Sequence, residues 1–483
     1  MSDAGKVSRA TLWSALDVLL GQLLSFTVIV FLARLLTPEE FGTVALMGLF
    51  TGVAKVLVES GFGSALIQRQ NVSDDDKSTV FWFSTAISLV VATALVAAAP
   101  LIASFFERPV LREVTFVLAA SIAVGALGIV HRSLLAKTLN FQALAVVNLV
   151  SASLAGIVAI ILALAGYGVF ALAWQMLIAA SIGVVSLWII YPWRPNLIFS
   201  RASLRRLFGF GGYMLAVSML DTAYTKGYSV LLGKLHGAGA LGLFARAEAA
   251  AAMPSAFLTG TLARVAFPAF SGLGEDKSRL RDGMRSSVQT SMLVNAPAAL
   301  GLAAIADPFV HVFYGQQWGS AVPLLQILCL SGIFMPLHIL NLHALMATGR
   351  SDLFFRLELA KKILGVTILL GASTKGPIGL AWGMVGASVI AFLINTSQSR
   401  RQFGYGSWQQ VRDAFPAVCV AAVMALTTLL VVEVMEERYS DVVRLGAGMT
   451  TGIAMYSAIA LTLRLKGVEI VQGIIRNALT DRE

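Results

Sequence analysis

The chain predicts an all-α integral membrane protein, and three observations carry that class. About fourteen apolar stretches, each long enough to cross a bilayer, fill nearly all of its 483 residues. Hydrophobic residues make up 57% and charged residues 13%, whereas a soluble domain carries about a quarter charged residues. Apolar residues alternating at period two, the mark of an outer-membrane barrel, do not occur as a pattern.

The first apolar run, Thr11 to Leu36, is too long for the h-region of a signal peptide and lacks a small-residue cleavage site, so it reads as a mature helix over 11–35. Further apolar runs predict helices at 41–66, 79–103, 114–136, 142–165 and 167–190. A polar stretch near 191–206 separates these from runs at 207–233, 239–262, 286–309, 319–346, 353–374 and 377–398, with a second polar stretch near 264–285. Two more helices follow at 411–434 and 443–464. Gly48 and Gly52 give helix two a small-xxx-small face for close packing. Pro254, Pro297 and Pro336 interrupt helices eight, nine and ten, as static kinks or as bending points. Cys329 and Cys419 lie in apolar spans and read as small core residues, with neither a disulfide nor a metal role.

The net charge of +10 is first a matter of topology. With a cytoplasmic N-terminus, roughly 26 Lys and Arg fall on the cytoplasmic side and about 7 on the other. The cytoplasmic loops hold Arg201, Arg205 and Arg206, then Lys277, Arg279, Arg281 and Arg285, then Arg400 and Arg401, whereas Gly166-Tyr167-Gly168 and the stretch near Tyr314 hold none. This places both termini in the cytoplasm and removes the case for nucleic acid; a basic face for anionic lipid is the second use of the same charge.

A repeat is visible at a spacing of about 200 residues. Arg34-Leu35, Gly42 and Ala45 match Lys234-Leu235, Gly242 and Ala245; Gly168, Leu172, Ala173 and Trp174 match Gly376, Leu380, Ala381 and Trp382. Two six-helix lobes, 1–200 and 201–405, are expected around a central cavity, with 406–483 supplying two additional helices and a cytoplasmic tail.

Seven charges stand out inside the spans: Asp17, Lys55, Glu59, Asp221, Lys226, Arg246 and Glu248. Each is costly in hydrocarbon and needs a partner, a watery cavity or a role. They fall in helices one, two, seven and eight, the first two of each repeat. Lys55 and Glu59 are four apart on one helix face, either a self-neutralising pair or part of a cavity wall. Asp221, Lys226, Arg246 and Glu248 form the corresponding group, with cavity lining and interhelix pairing both open. His338, Asn341 and His343 on helix ten read as packed polar groups before a proton relay. There is no P-loop, HExxH, GxSxG or metal-ligand cluster in the sequence and no large polar loop for sugar chemistry. An ATP-driven pump and a membrane-embedded polysaccharide polymerase or ligase therefore lack support, and no cofactor is implied.

The segment Glu59 to Asp76, with Gly61-Phe62-Gly63-Ser64-Ala65-Leu66-Ile67-Gln68-Arg69 and Asp74-Asp75-Asp76, resembles the polysaccharide transporter family. So do Leu36-Thr37-Pro38-Glu39-Glu40 with Phe41-Gly42, and Val265-Ala266-Phe267-Pro268-Ala269-Phe270-Ser271. That family belongs to a flippase superfamily that also holds multidrug extruders. The resemblance implies a flippase for undecaprenyl-diphosphate-linked oligosaccharide in a bacterial inner membrane, feeding capsule, exopolysaccharide or O-antigen synthesis. It implies a cationic cavity, for which Lys55, Lys226 and Arg246 are the candidates, with Asp17, Glu59, Asp221 and Glu248 left for H+ or Na+ coupling or for charge pairing. Polymerase and chain-length machinery are the implied protein partners. A drug/cation antiporter of the same superfamily is the competing transporter; it prefers an acidic cavity and usually has twelve helices.

Overall fold

The structure, a computed structural model, describes every residue except 1, 2, 60, 70, 274, 275, 349, 350 and 471–483. The side chains of 3–12, 15, 206–211, 213, 214, 257–261, 263–265, 267–269, 351, 352 and 355 also lie outside the description. Arg206, Val265 and Phe267-Pro268-Ala269, named above, are among these.

The described chain is helical, with no strand. Its helices are α1 (Asp3–Leu35), α2 (Pro38–Leu46), α3 (Gly48–Glu59), α4 (Phe62–Gln68), α5 (Asp74–Phe105), α6 (Val110–Ala126), α7 (Ile129–Lys137), α8 (Phe141–Leu164), α9 (Val169–Ile190), α10 (Arg201–Ser271), α11 (Lys277–Ala304), α12 (Ala306–Phe313), α13 (Val322–Gly332), α14 (Met335–Ala347), α15 (Ser351–Ser373), α16 (Gly376–Phe403), α17 (Ser407–Val434) and α18 (Asp441–Thr462). Gly237 breaks α10 into two helices.

Among the described residues, eight helices are long and apolar enough to cross a membrane, or eleven if each of three bent pairs is one span. The sequence count of fourteen is not reached on this criterion. Between 17% and 39% of each full span is buried inside the protein, so most of each apolar surface needs lipid. The chain is a multi-pass membrane protein.

The expected helices at 41–66, 114–136 and 286–309 are broken. α2 and α3 meet at 40°, α6 and α7 at 44°, and α11 and α12 at 71°. Apolar periodicity marks which residues avoid water but not where the backbone turns, so the breaks were invisible in the pattern. The expected helix at 319–346 is interrupted as well: α13 ends at Gly332, and Pro336 occupies the first turn of α14, which begins at Met335.

By packing, the chain forms two compact units, Met1–Gly242 and Leu243–Glu483. In the first, α1 packs on α8, α8 on α9, α9 on α6 and α6 on α5. The turn into α2 is set by local chemistry. Thr37 caps the helix, its Oγ1 accepting from the Glu40 amide at 3.3 Å while Glu40 accepts from the Thr37 amide at 2.7 Å, and Pro38 fills the first turn. Arg108 then pairs with Glu39, and Lys234 with Glu107 at 2.7 Å. The Lys234 hydrogen bond holds the Glu107 carboxyl below its ordinary range.

The repeat-matched glycines meet at this end. A Cβ on Gly42 would lie 1.7 Å from the Ala238 carbonyl oxygen, and one on Gly242 would lie 1.8 Å from the Pro38 carbonyl oxygen. The two contacts are reciprocal at the repeat spacing, which is what a two-fold relation between 38–42 and 238–242 produces. Only glycine lets backbones approach so closely.

In the second unit, α11 packs on α17, α17 on α18, and α13 and α15 on α16. Leu280, Met284, Val288, Met292 and Ala296 recur every fourth residue of α11 and are fully buried. Asn341 of α14 and Gln410 of α17 exchange two amide hydrogen bonds of 2.8 Å, and Ser399 of α16 donates to Asn341 at 2.6 Å. All three are buried, so three helices are tied by a closed polar set. Beside it, the Tyr405 hydroxyl donates to Asp413 at 3.0 Å and Arg285 donates to the same carboxylate at 2.9 Å. Burial first and Asp413 second push the Tyr405 phenol up, keeping it a donor.

Two outcomes are expected. Asn341→Leu strands the Gln410 amide and lowers stability by about 1–3 kcal/mol, while Asn341→Leu with Gln410→Leu recovers part of it; thermal unfolding of purified protein reads both. Gly42→Val separates the backbones and reduces the yield of folded protein, measured by monodisperse size-exclusion elution, whereas Gly48→Val, whose Cβ meets no atom within 4 Å, does so far less.

Candidate functional site

The first unit encloses a cavity of about 1050 Å³ lined from α3, α4, α6, α7, α8, α9 and α10. Its wall is rich in glycine, alanine and serine, and its charged lining residues are Lys55, Glu59, Arg132 and Lys226. Three cations and one carboxylate thus face the same space.

The segment that carried the family resemblance builds one end of this cavity. Gly61, with φ of 67°, reverses the chain between α3 and α4, a conformation that disfavours side chains. Phe62, Ala65 and Leu66 bury one face of α4, while Gly61, Gly63, Ser64 and Ile67 line the cavity. Lys137 of α7 donates to the Leu66 carbonyl at 3.3 Å and to that of Arg69, closing the helix end. Ser73 and Asp76 cap α5 reciprocally, and Asp76, buried, lies 3.8 Å from Arg69. The motif is therefore architecture around the cavity more than charge within it.

Lys55, Glu59 and Lys226 are brought together in this wall. Lys55 Nζ lies 3.9 Å from Glu59 Oε1, with side chains 73% and 57% exposed. Asp17 of α1 is not in the lining; the Asn148 side-chain amide donates to its two oxygens at 3.2 and 3.3 Å. Asp221 shares α10 with Lys226 but is not in the lining. Arg246 and Glu248 belong to the second unit and are half-buried. There, burial pushes the Tyr314 phenol up and the nearby Arg246 partly offsets it.

Two lining residues were missed. Arg132 stands inside the expected span 114–136, and counting every charge in the spans finds it, so the charges are not confined to helices one, two, seven and eight. Asn148 is an amide within the apolar run of α8. Arg132 Nη1 donates to Asn148 Oδ1 at 3.1 Å. Its neighbour His131 is absent from the lining, buried and stacked on Trp188 at 5.1 Å with Nε2 3.1 Å from the Trp193 carbonyl oxygen.

His338 is packed between helices, 3.4 Å from Ser388 Oγ and 3.4 Å from the Asn395 amide. No metal cluster was visible in the sequence, yet the fold brings Asp307, His311 and Asp441 within 4.8 Å of one another. Arg444, buried, already occupies that group, ion-paired with Asp307 at 2.9 Å and hydrogen-bonded to Asp441 at 2.8 Å. Its guanidinium supplies the positive charge that a metal ion would bring.

A family model described as polysaccharide biosynthesis protein matches residues 31–323. The lipopolysaccharide biosynthesis protein WzxC of Escherichia coli (strain K12) is 26% identical over 445 residues, covering 88% of this chain and 89% of WzxC. The teichuronic acid biosynthesis protein TuaB of Bacillus subtilis (strain 168) is 28% identical over 79% of this chain and 80% of its own length. Among solved structures, the lipid II flippase MurJ in an inward closed conformation aligns with a TM-score of 0.75 at 14% identity, covering 94% of this chain and 99% of MurJ. A multidrug resistance MATE family transporter in its inward-facing conformation aligns with a TM-score of 0.60 at 17% identity, covering 79% and 95%. The fold is that of these transporters.

Lys55 and Glu59 test whether a charge in this wall serves stability. A double-mutant cycle with Lys55→Ala and Glu59→Ala, read by thermal unfolding, is expected to give a coupling below about 1 kcal/mol, as for other exposed pairs.

Proposed function

The chain belongs to the polysaccharide biosynthesis protein family, and from that premise we propose that it is a flippase for undecaprenyl-diphosphate-linked oligosaccharide repeat units in a bacterial inner membrane. The observation that carries this reading is a cavity with an excess of cations in its lining, inside a multi-pass helical protein of the MurJ-like fold. The named relatives WzxC and TuaB work in polymer biosynthesis, and coverage of nearly nine-tenths of both chains for WzxC supports carrying that role across. The protein is a transporter, not an enzyme.

The substrate places its diphosphate and sugars in the cavity while the polyprenyl tail stays in lipid. Lys55 and Lys226, which line the cavity, hold the anionic headgroup there, and Arg246, outside that lining, is the further cation for it in the second unit. Asp17, Glu59, Asp221 and Glu248 couple H+ or Na+, or balance the cations, as the lobes 1–200 and 201–405 alternate access. Both termini are cytoplasmic in this reading, and the released repeat units pass to polymerase and chain-length machinery. The MATE-like fold also fits a drug/cation antiporter, but a wall with three cations and one carboxylate opposes cationic drugs.

A deletion strain is expected to accumulate lipid-linked oligosaccharide on the cytoplasmic face and to lose polymer export, with wild-type protein restoring both. Lys55→Ala with Arg246→Ala, correctly inserted, is expected to cut export at least tenfold. Wild-type export by that double variant sinks the cation assignment, and a deletion without accumulation sinks the flippase reading.

A further inference from the structure

We infer that Arg132 is the fixed anion-binding group of the cavity, that Asn148 and Asp17 position it, and that its ligand is a phosphate or diphosphate headgroup. This assignment rests on the transport reading above and adds residues that reading does not use.

The three lining cations differ in how they are held. Lys55 is a flexible ammonium whose acidic neighbour, Glu59, is on its own helix at 3.9 Å. Lys226 reaches the wall from α10. Arg132 alone of the three is gripped by a chain of hydrogen bonds crossing three helices. Its Nη1 on α7 donates to Asn148 Oδ1 on α8 at 3.1 Å, and the Asn148 amide group donates to both oxygens of Asp17 on α1 at 3.2 and 3.3 Å. The sense of that chain is dictated by chemistry. A guanidinium only donates, an ionised carboxylate only accepts, and a primary amide between them does both.

The interposed amide is what makes the arrangement suit binding. A carboxylate in direct contact would use the guanidinium's charge and its bidentate face. Asn148 instead takes one N–H and orients the plane, leaving the rest of the fork to the cavity that Arg132 lines. A planar fork matches two phosphate oxygens at once, which an ammonium does not. A side chain already ordered loses less entropy when the ligand arrives. Asp17 is not in the lining, and both its oxygens accept from Asn148, so it acts on Arg132 through that amide. The other charge acting on Arg132 is Glu59, which does face the cavity.

The geometry also separates two carboxylates that a simple charge count treats alike. Removing either Asp17 or Glu59 makes the site more positive. Removing Glu59 takes away a competitor for Arg132; removing Asp17 takes away the support of its positioning amide.

The test is calorimetric binding of farnesyl diphosphate to the purified full-length protein in phosphatidylcholine nanodiscs, with farnesol as the phosphate-free control. Arg132→Ala is expected to weaken binding roughly tenfold or more, and Arg132→Lys to restore only part. Glu59→Gln is expected to tighten binding, whereas Asp17→Ala and Asn148→Ala weaken it severalfold and Asp17→Glu recovers it. If the alanine variant of Arg132 does not fold, Arg132→Gln, which keeps a donor for Asn148 without the charge, takes its place. Wild-type affinity in a folded Arg132 variant overturns the assignment. Tighter binding by Asp17→Ala overturns the positioning role and leaves Arg132 as an ordinary cation. If the wild-type protein binds farnesyl diphosphate no better than farnesol, the transport reading itself fails, an outcome distinct from either.

Discussion

Hydrocarbon offers no water to a polar group, and that constraint organises the rest of this protein. Helices satisfy their own backbone, so every regular element of the described chain is a helix. Polar side chains inside the spans then have three outlets: a partner, a carbonyl or a cavity. Asn341, Gln410 and Ser399 close on one another. Lys137 ends on the carbonyls of α4. Lys55, Arg132 and Lys226 open into the cavity. The first two solutions hold helices together, and the third leaves charge available to a ligand.

Close packing supplies the geometry. Without a hydrophobic drive between helices in lipid, contact has to come from shape. The crossing of α2 with 238–242 through Gly42 and Gly242 is the closest case, since no side chain fits between the two backbones. The bends between α2 and α3 and between α6 and α7 serve a different end. They let α3, α4 and α7 contribute to one wall, which places Lys55, Glu59 and Arg132 around the same space.

The electrostatic character of that space follows from how each charge is supported. A mixed-charge wall with an excess of cations suits an anionic headgroup that must enter and leave, because binding that is too strong would arrest transport. Glu59 lines the cavity beside Lys55, whereas Asp17 is outside the lining and bonded to Asn148. The proposed transport cycle therefore divides its acids into one that competes with substrate and one that supports a cation.

The sequence by itself determined the class and the approximate place of the long apolar helices, because these depend on composition and period, which are local properties. The resemblance in Glu59 to Asp76 pointed to the family for the same reason: a turn, a buried face and a cap are written in neighbouring residues. Tertiary structure decided the rest. Where a helix bends depends on what it packs against, so the breaks near Met47 and Leu127 were not legible. Arg132, Asn148 and Asp17 are 16 and 131 residues apart along the chain, and nothing in an isolated apolar run says that an amide in it will stand between a guanidinium and a carboxylate. Hydrophobicity is read residue by residue; a site made by three helices exists only once they are packed.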